Sequence, residues 1–242
     1  MELSGVTALV TGGAHRVGRA IVLALAEAGA DLVLHYNSSS EAAEETAAEV
    51  RELGREARLV GADLSDPANA DDVVAGAGDL GPVRVLVNSA AVFPKDTLLD
   101  LTPDQWARTL TVNLQSPVFL TQAFARALPE DEEGAVVNVT DWRTARPYPD
   151  HFSYTVAKGG LDTFTMAAAE ALAPRIRVNA VALGAILPPP GESSDYLKEL
   201  ARSIPVRRVG GTDPVADAVV FLVTNHFVTG ETIRIDGGAH LV

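Results

Sequence analysis

The chain contains no cysteine. That excludes disulfides, thiolate nucleophiles and cysteine-ligated metals. Aromatic residues are scarce, 5% of the chain against 47% hydrophobic overall. The core must therefore be filled by Val, Leu, Ala and Ile, as in a parallel sheet buried on both faces. Basic residues are also in deficit: 19 Lys and Arg stand against 32 Asp and Glu, for a formal net charge of −13. Nucleic acid and anionic membranes would meet net repulsion, so neither is expected as a partner. No run of about 18 uncharged apolar residues is present to cross a bilayer. The first strand signal starts near Val6, leaving no space for a signal peptide, and a cytoplasmic protein is expected. The five histidines, among them His151, His226 and His240, show no metal-ligand spacing, so no metal site is expected.

What is present is alternation. Apolar β-branched runs at 6–10, 31–36, 57–66 (the last part its exit loop), 83–91, 134–141, 176–184 and 231–238 alternate with helical patterns. The helical stretches are 14–29, 40–53, 67–77, 104–127, 152–172 and 213–223. Strand–helix alternation predicts right-handed crossovers and an α/β fold: a single Rossmann-type, doubly wound, parallel seven-stranded sheet with helices on both faces. A length of 242 residues suits one domain spanning 1–242. One segment departs from the alternation. Residues 187–205 carry prolines and serines, with a short helix expected near 196–202, and such an excursion past a strand's carboxyl end suits a substrate lid.

The first turn reads Thr11-Gly12-Gly13-Ala14-His15-Arg16-Val17-Gly18. Glycines between a first strand and a first helix let the backbone approach a pyrophosphate, whose charge sits on the helix N-terminus. Arg16 is either a surface residue or the partner of an anion; the helix dipole disfavours an unaccompanied cation there. The second strand ends His35-Tyr36-Asn37-Ser38-Ser39, with no acid before Glu41. An NAD site usually places Asp or Glu in this zone for the ribose hydroxyls. Neutral Asn37, Ser38 and Ser39 beside Arg16 tolerate a 2′-phosphate, which favours NADP(H). Alternatively the serines cap the next helix, with Ser40 as the expected cap.

Tyr154 and Lys158 are four apart and share a helix face, and Asp141 ends the strand thirteen residues before Tyr154. A phenol, an ammonium and a carboxylate that converge suit proton transfer. A nearby cation would lower the phenol pKa toward neutrality, while a second anion would raise it.

These motifs together resemble the short-chain dehydrogenase/reductase family along the whole chain. The glycine turn, Asp63 after the third strand, the altered Asn88-Ser89-Ala90-Ala91, Asn113 in a helix, the Tyr154/Lys158 pair, Leu183-Gly184 and the terminal TGETIRIDGG occur in the family's order. Three departures resemble the pteridine reductases: Asp141 in place of the family's Ser, Arg16 in place of a Gly, and His35-Tyr36 after the second strand. The resemblance implies a catalytic set of Asp141, Tyr154, Lys158 and Asn113. It implies cofactor contacts from Gly12, Arg16, Val17, Gly18, His35, Tyr36, Asn37, Ser38, Ser39, Asp63, Leu64, Asn88, Ala90, Tyr154, Lys158, Gly184 and Ile186. The implied substrate contacts are Arg16, Phe93, Asp141, Tyr154, Leu183 and Leu187, with Phe93 stacking on a pterin unless it merely packs a loop. The implied reaction is NADPH-dependent reduction of a pterin or dihydropterin ring imine, with Tyr154 as proton donor. Reduction of a carbonyl, such as a 3-oxoacyl thioester, is the alternative. The Ala- and Leu-rich faces of 104–127 and 152–172 suit a homo-oligomer, with a tetramer favoured.

Overall fold

A computed structural model describes residues 1–188 and 194–242, with the side chains of 194–197 left aside. The apolar runs form strands β1 (Thr7–Thr11), β2 (Asp31–Tyr36), β3 (Ala57–Gly61), β4 (Val83–Asn88), β5 (Gly134–Asp141), β6 (Ile176–Leu183) and β7 (Thr232–Ile235). They make one sheet in the order β3-β2-β1-β4-β5-β6-β7. Every pairing is parallel. The helices are α1 (Arg16–Glu27), α2 (Ser40–Glu52), α3 (Ala70–Ala75), α4 (Pro103–Leu110), α5 (Ser116–Ala127), α6 (Phe152–Leu172), α7 (Ser194–Ala201) and α8 (Asp213–Thr224). This is the doubly wound Rossmann-type α/β fold expected from the alternation. No helix among the described residues is long and apolar enough to cross a membrane.

Side-chain alternation along each strand builds two cores, because successive residues point to opposite faces. Ala8, Val10, Leu32, Leu34, Val85, Val87 and Val137 meet Ile21, Val22 and Leu25 of α1, Val50 of α2, and Val219 and Leu222 of α8. Leu9, Val33, Leu86 and Val136 meet Val73 of α3, Leu120 and Phe124 of α5, and Ala168 of α6. With both faces covered by aliphatic side chains, the chain needs few aromatics. The order reverses at β1, whose neighbours lead away in opposite directions. The loops after β1 and β4 therefore diverge and leave a crevice at the carboxyl ends of the strands, where open α/β sheets bind ligands.

Three local expectations are corrected. The stretch 104–127 is not one helix: α4 and α5 are joined by a π-helical turn, Thr111–Gln115. Residues 67–77 divide into a 3₁₀ turn, Pro67–Asn69, and the short α3. Ser40 lies inside α2; Ser39 holds the cap position and makes no side-chain cap bond. Of the expected lid, 189–193 lies outside the described residues, and α7 begins two positions before the expected helix.

Candidate active site

β1 ends at Thr11, and its hydroxyl oxygen accepts from the backbone N–H groups of Ser89 and Ala90 at 3.0 and 3.1 Å. That pins the turn after β4 against the glycine loop. Gly12 has φ +66°, and a Cβ there would lie 3.0 Å from Ala90 Cα. Gly18, in the first turn of α1, is tighter: its Cβ would fall 2.0 Å from the Gly12 carbonyl oxygen. The loop, the helix start and the 89–90 turn thus touch backbone to backbone. α1 has neither a side-chain cap bond nor an acid in its first turn, so its leading N–H groups suit an external anion. A dinucleotide pyrophosphate fits this cradle. Arg16 sits at φ +57°, and its guanidinium donates to the Pro188 carbonyl at 2.7 Å. It therefore bridges the glycine loop and the start of the lid segment. Val17 is half-buried against the α1 core.

The end of β2 carries a finding that identity alone did not signal. His35 is buried; its Nδ1 accepts from the Gly12 N–H at 3.2 Å, and its Nε2–H donates to the Ala62 carbonyl at 3.0 Å. The two bonds define one neutral tautomer, and burial holds its pKa below the ordinary histidine value. The His35 side chain thus supports the glycine loop from beneath. Tyr36 lies over Gly61, whose Cβ would meet the phenol ring at 3.1 Å. Asn37 and Ser38 are exposed and Ser39 half-buried, next to the loop and with no carboxylate among them. Asp63 is exposed and accepts from the Ser65 N–H at 2.8 Å, a bond that lowers its pKa. Leu64 is buried in the α3–α5 core. The Asn88 side chain is also turned inward, donating to Asn138 Oδ1 at 2.9 Å.

Asp141 closes β5 opposite Leu183 of β6, and Tyr154 and Lys158 lie in the first two turns of α6. The Tyr154 hydroxyl donates to Asp141 Oδ2 at 3.1 Å. The other carboxyl oxygen accepts from the Arg143 N–H at 2.9 Å. Lys158 is buried and donates to the Val139 carbonyl at 2.7 Å, with Nζ 5.7 Å from the Tyr154 ring centroid. Burial raises the Asp141 pKa, against the Arg143 N–H, the Arg143 charge, Tyr154 and Lys158. Burial and then the Asp141 charge raise Tyr154 well above 10. Burial lowers Lys158 to about 8. The expected lowering of the phenol pKa is thus corrected: burial and Asp141 outweigh the Arg143 charge, the cation that acts to lower it. The phenol stays protonated at neutral pH.

Asn113, fully buried in the π turn, donates to the Val92 and Thr109 carbonyls, each at 3.0 Å, and accepts from the Val92 N–H at 3.2 Å. Its amide holds the helix break onto the loop after β4. On that loop the Phe93 ring is stacked on His151, with centroids 3.7 Å apart and planes at 9°. It meets Tyr154 edge-on at 4.7 Å, and the Arg143 guanidinium lies 5.4 Å from its centroid. Leu183 and Leu187 are half-buried at the exit of β6, Gly184 donates to the Ile235 carbonyl at 2.9 Å, and Ile186 is buried in the core. The structure thus gathers Asp141, Tyr154, Lys158 and Phe93, and turns Asn88, Leu64, Ile186 and His35 inward. Thr11, His151 and Arg143 are additional contributors. For Thr11, its place beside the glycine turn was the available signal.

A family model described as enoyl-(acyl carrier protein) reductase matches residues 12–240. Among solved structures, the NADP complex of FolM alternative dihydrofolate reductase 1 from Brucella canis is 38% identical, with a TM-score of 0.93, covering 100% of this chain and 97% of that one. The 3-oxoacyl-(acyl-carrier-protein) reductase of Synechocystis is 32% identical over 241 residues, 98% of this chain and 97% of that protein. The L-xylulose reductase of Bos taurus is 34% identical over 246 residues, 98% of each chain. With this coverage and the glycine cradle, the chain belongs to the short-chain dehydrogenase/reductase family and is an NADP(H)-dependent oxidoreductase.

Proposed function

We propose that the enzyme reduces a ring imine of a pterin or dihydropterin, dihydrofolate included. The observation that carries this reading is the Asp141–Tyr154 hydrogen bond at 3.1 Å. Asp141 Oδ2 accepts from the phenol and its other oxygen from the Arg143 N–H, so the site presents a hydrogen-bond acceptor beside the proton donor. A pterin presents ring N–H and amino donors that a carboxyl group can accept. The resemblance to FolM alternative dihydrofolate reductase 1 supports the same substrate class.

In this reading the bound NADPH supplies the hydride. Tyr154 gives its hydroxyl proton to the adjacent ring nitrogen. Asp141, hydrogen-bonded to the phenol, is assigned the acid form in this step and passes its proton to the Tyr154 oxygen. The pair ends as Tyr154 phenol and Asp141 carboxylate, to be reprotonated from solvent. Lys158 holds the nicotinamide ribose, and Arg16 bridges the cofactor phosphates and the substrate edge. Gly12, Val17, Gly18, Asn37, Ser38, Ser39 and Asp63 line the cofactor path. Asn113 positions the 92–93 loop. Phe93 offers its exposed part to the pterin face, while Leu183 and Leu187 wall the pocket. We take 1–242 as one domain acting in the cytoplasm as a homo-oligomer, with a tetramer favoured. The exposed Phe119, Val156 and Met166 of α5 and α6 support such contacts.

The ketoacyl-reductase relative supports the second reading, a carbonyl substrate. The deciding experiment measures NADPH oxidation with 7,8-dihydropterins, dihydrofolate and a 3-oxoacyl thioester, with a diaminopteridine as competitor. Pterin turnover, competitive inhibition and more than tenfold weaker pterin binding in Phe93→Ala are expected. No inhibition of the wild type, together with 3-oxoacyl turnover, would establish the carbonyl reading instead.

A further inference from the structure

Helix α6, which carries Tyr154 and Lys158, begins without a cap of its own. His151 at its N-cap is left-handed, φ 50°, and makes no side-chain cap bond. An α-helix leaves its first N–H groups without intrahelical acceptors, and a buried start needs them satisfied from elsewhere. Here they are satisfied by the loop after β4, from 57 residues upstream. Asp96 is 3% exposed. Its Oδ1 accepts from the Ser153 N–H at 3.1 Å, its Oδ2 accepts from the Ser153 hydroxyl, and its backbone carbonyl accepts from the Phe152 N–H at 3.3 Å. A few atoms away, His151 Nδ1–H donates to the Pro94 carbonyl at 2.6 Å while its ring stacks on Phe93. An acidic side chain at this end also opposes the helix dipole favourably.

Ser153 immediately precedes Tyr154, so whatever fixes Ser153 fixes where the phenol arrives. We propose that Asp96 is a positioning residue for the proton-transfer step: it clasps Ser153 and so sets the start of α6 that holds Tyr154 within hydrogen-bond distance of Asp141. The clasp also joins the Phe93 loop to that helix start, so the two move as one body. The inference rests on Tyr154 as proton donor and is independent of whether the substrate is a pterin or a ketone.

The test measures kcat, KM, the NADPH Kd and the solvent deuterium isotope effect for Asp96→Ala, Asp96→Asn and Ser153→Ala. A dihydropterin and a 3-oxoacyl thioester are both assayed. A misplacement of about 1 Å at a reacting group costs on the order of 10²-fold. Asp96→Ala should lose roughly 10- to 100-fold in kcat on whichever substrate the wild type reduces, by the same argument. The Kd of NADPH should stay within about threefold, because the pyrophosphate would rest on the α1 start and the glycine loop, which Thr11 and His35 hold and Asp96 does not bond. The isotope effect should grow as proton delivery becomes limiting. An asparagine can accept from the Ser153 N–H and donate to its hydroxyl, so Asp96→Asn should recover most of the loss. Ser153→Ala should fall between. Unchanged kcat and isotope effect beside a lowered Tm would overturn the proposal, leaving Asp96 a stabilising cap alone. Should Asp96→Ala fail to fold, wild-type kcat in Ser153→Ala would overturn it equally. If the wild type turns over only the ketone, the pterin reading fails while the Asp96 loss remains measurable.

Discussion

Gly18→Ala adds one methyl group at the most crowded point of the cofactor cradle. That carbon would sit 2.0 Å from the Gly12 carbonyl oxygen, 2.8 Å from its carbon and 3.2 Å from Gly13 Cα. All three neighbours are backbone, so no side chain can swing aside. An ordinary C···O contact is about 3.3 Å, so the loop must retreat by roughly 1.3 Å. Retreat breaks what holds the loop: the Gly12 N–H to His35 Nδ1 bond at 3.2 Å and the Gly13 N–H to His35 carbonyl bond at 3.0 Å. Two such bonds contribute about 1 kcal/mol each, and leaving His35 unpaired in the interior adds about 1–3 kcal/mol. The expected loss of stability is therefore about 3–5 kcal/mol, or a Tm lower by roughly 6–20 °C in a chain of this size. Charge-assisted bonds to the pyrophosphate contribute about 1.5–3 kcal/mol each. Losing two should weaken NADPH by about 10²–10⁴-fold. Thermal denaturation and NADPH fluorescence titration read the two effects. Gly54→Ala is the control: φ is +75° with nothing within 4 Å of the new carbon, so it should cost about 1–2 kcal/mol for the left-handed backbone and leave NADPH affinity alone. A Gly18→Ala protein with wild-type Tm and a Kd within threefold would refute the backbone-contact argument.

Asn37→Asp places a carboxylate at the exposed end of β2; kcat/KM should then favour NADH over NADPH, and an unchanged NADPH preference would show that the 2′-phosphate is read elsewhere. Tyr154→Phe keeps the ring against Phe93 and removes the proton donor; turnover should fall by about 10²–10⁴-fold with NADPH affinity nearly constant, and near-wild-type turnover would remove Tyr154 from the mechanism. Asp141→Asn should lower turnover yet raise Tm at neutral pH. The fold raises the Asp141 pKa, so its destabilising contribution grows as pH climbs from the unfolded value and is complete above the folded one. The Tm gain should accordingly shrink toward zero below about pH 4, and a gain independent of pH would assign it to packing.

The strands were legible because short β-branched apolar runs bounded by turn residues suit a parallel sheet buried on both faces, and α6 because its small and apolar residues run on over 21 positions without a breaker. Periodicity did not show the π turn at Asn113: the apolar period of 104–127 continues across it, and the Val92 contacts show what the amide holds. His35 shows a second limit. Its type and place pointed at the cofactor, whereas its role follows from which ring nitrogen faces Gly12 and which faces Ala62. Asp96 shows a third, since a cap supplied from 57 residues away leaves no local pattern at the helix it caps.

The acid in place of the family's serine changes the balance of charge around Tyr154. A serine hydroxyl is neutral, and with it burial alone would hold the phenol pKa up. Asp141 adds to burial in the same direction. The site therefore starts from a protonated phenol hydrogen-bonded to a carboxyl group that itself resists ionisation. Such a pair delivers a proton without requiring a phenolate afterwards, because the carboxyl group takes up the charge. Arg143 is placed to stabilise that product: its N–H holds one carboxyl oxygen at 2.9 Å, and its guanidinium lies over Phe93 at the site. A ring imine and a carbonyl both end neutral after this proton transfer, so the charge balance alone does not choose between them. What the carboxyl group adds for a pterin is an acceptor, beside the phenol, for ring N–H and amino donors that a ketone lacks.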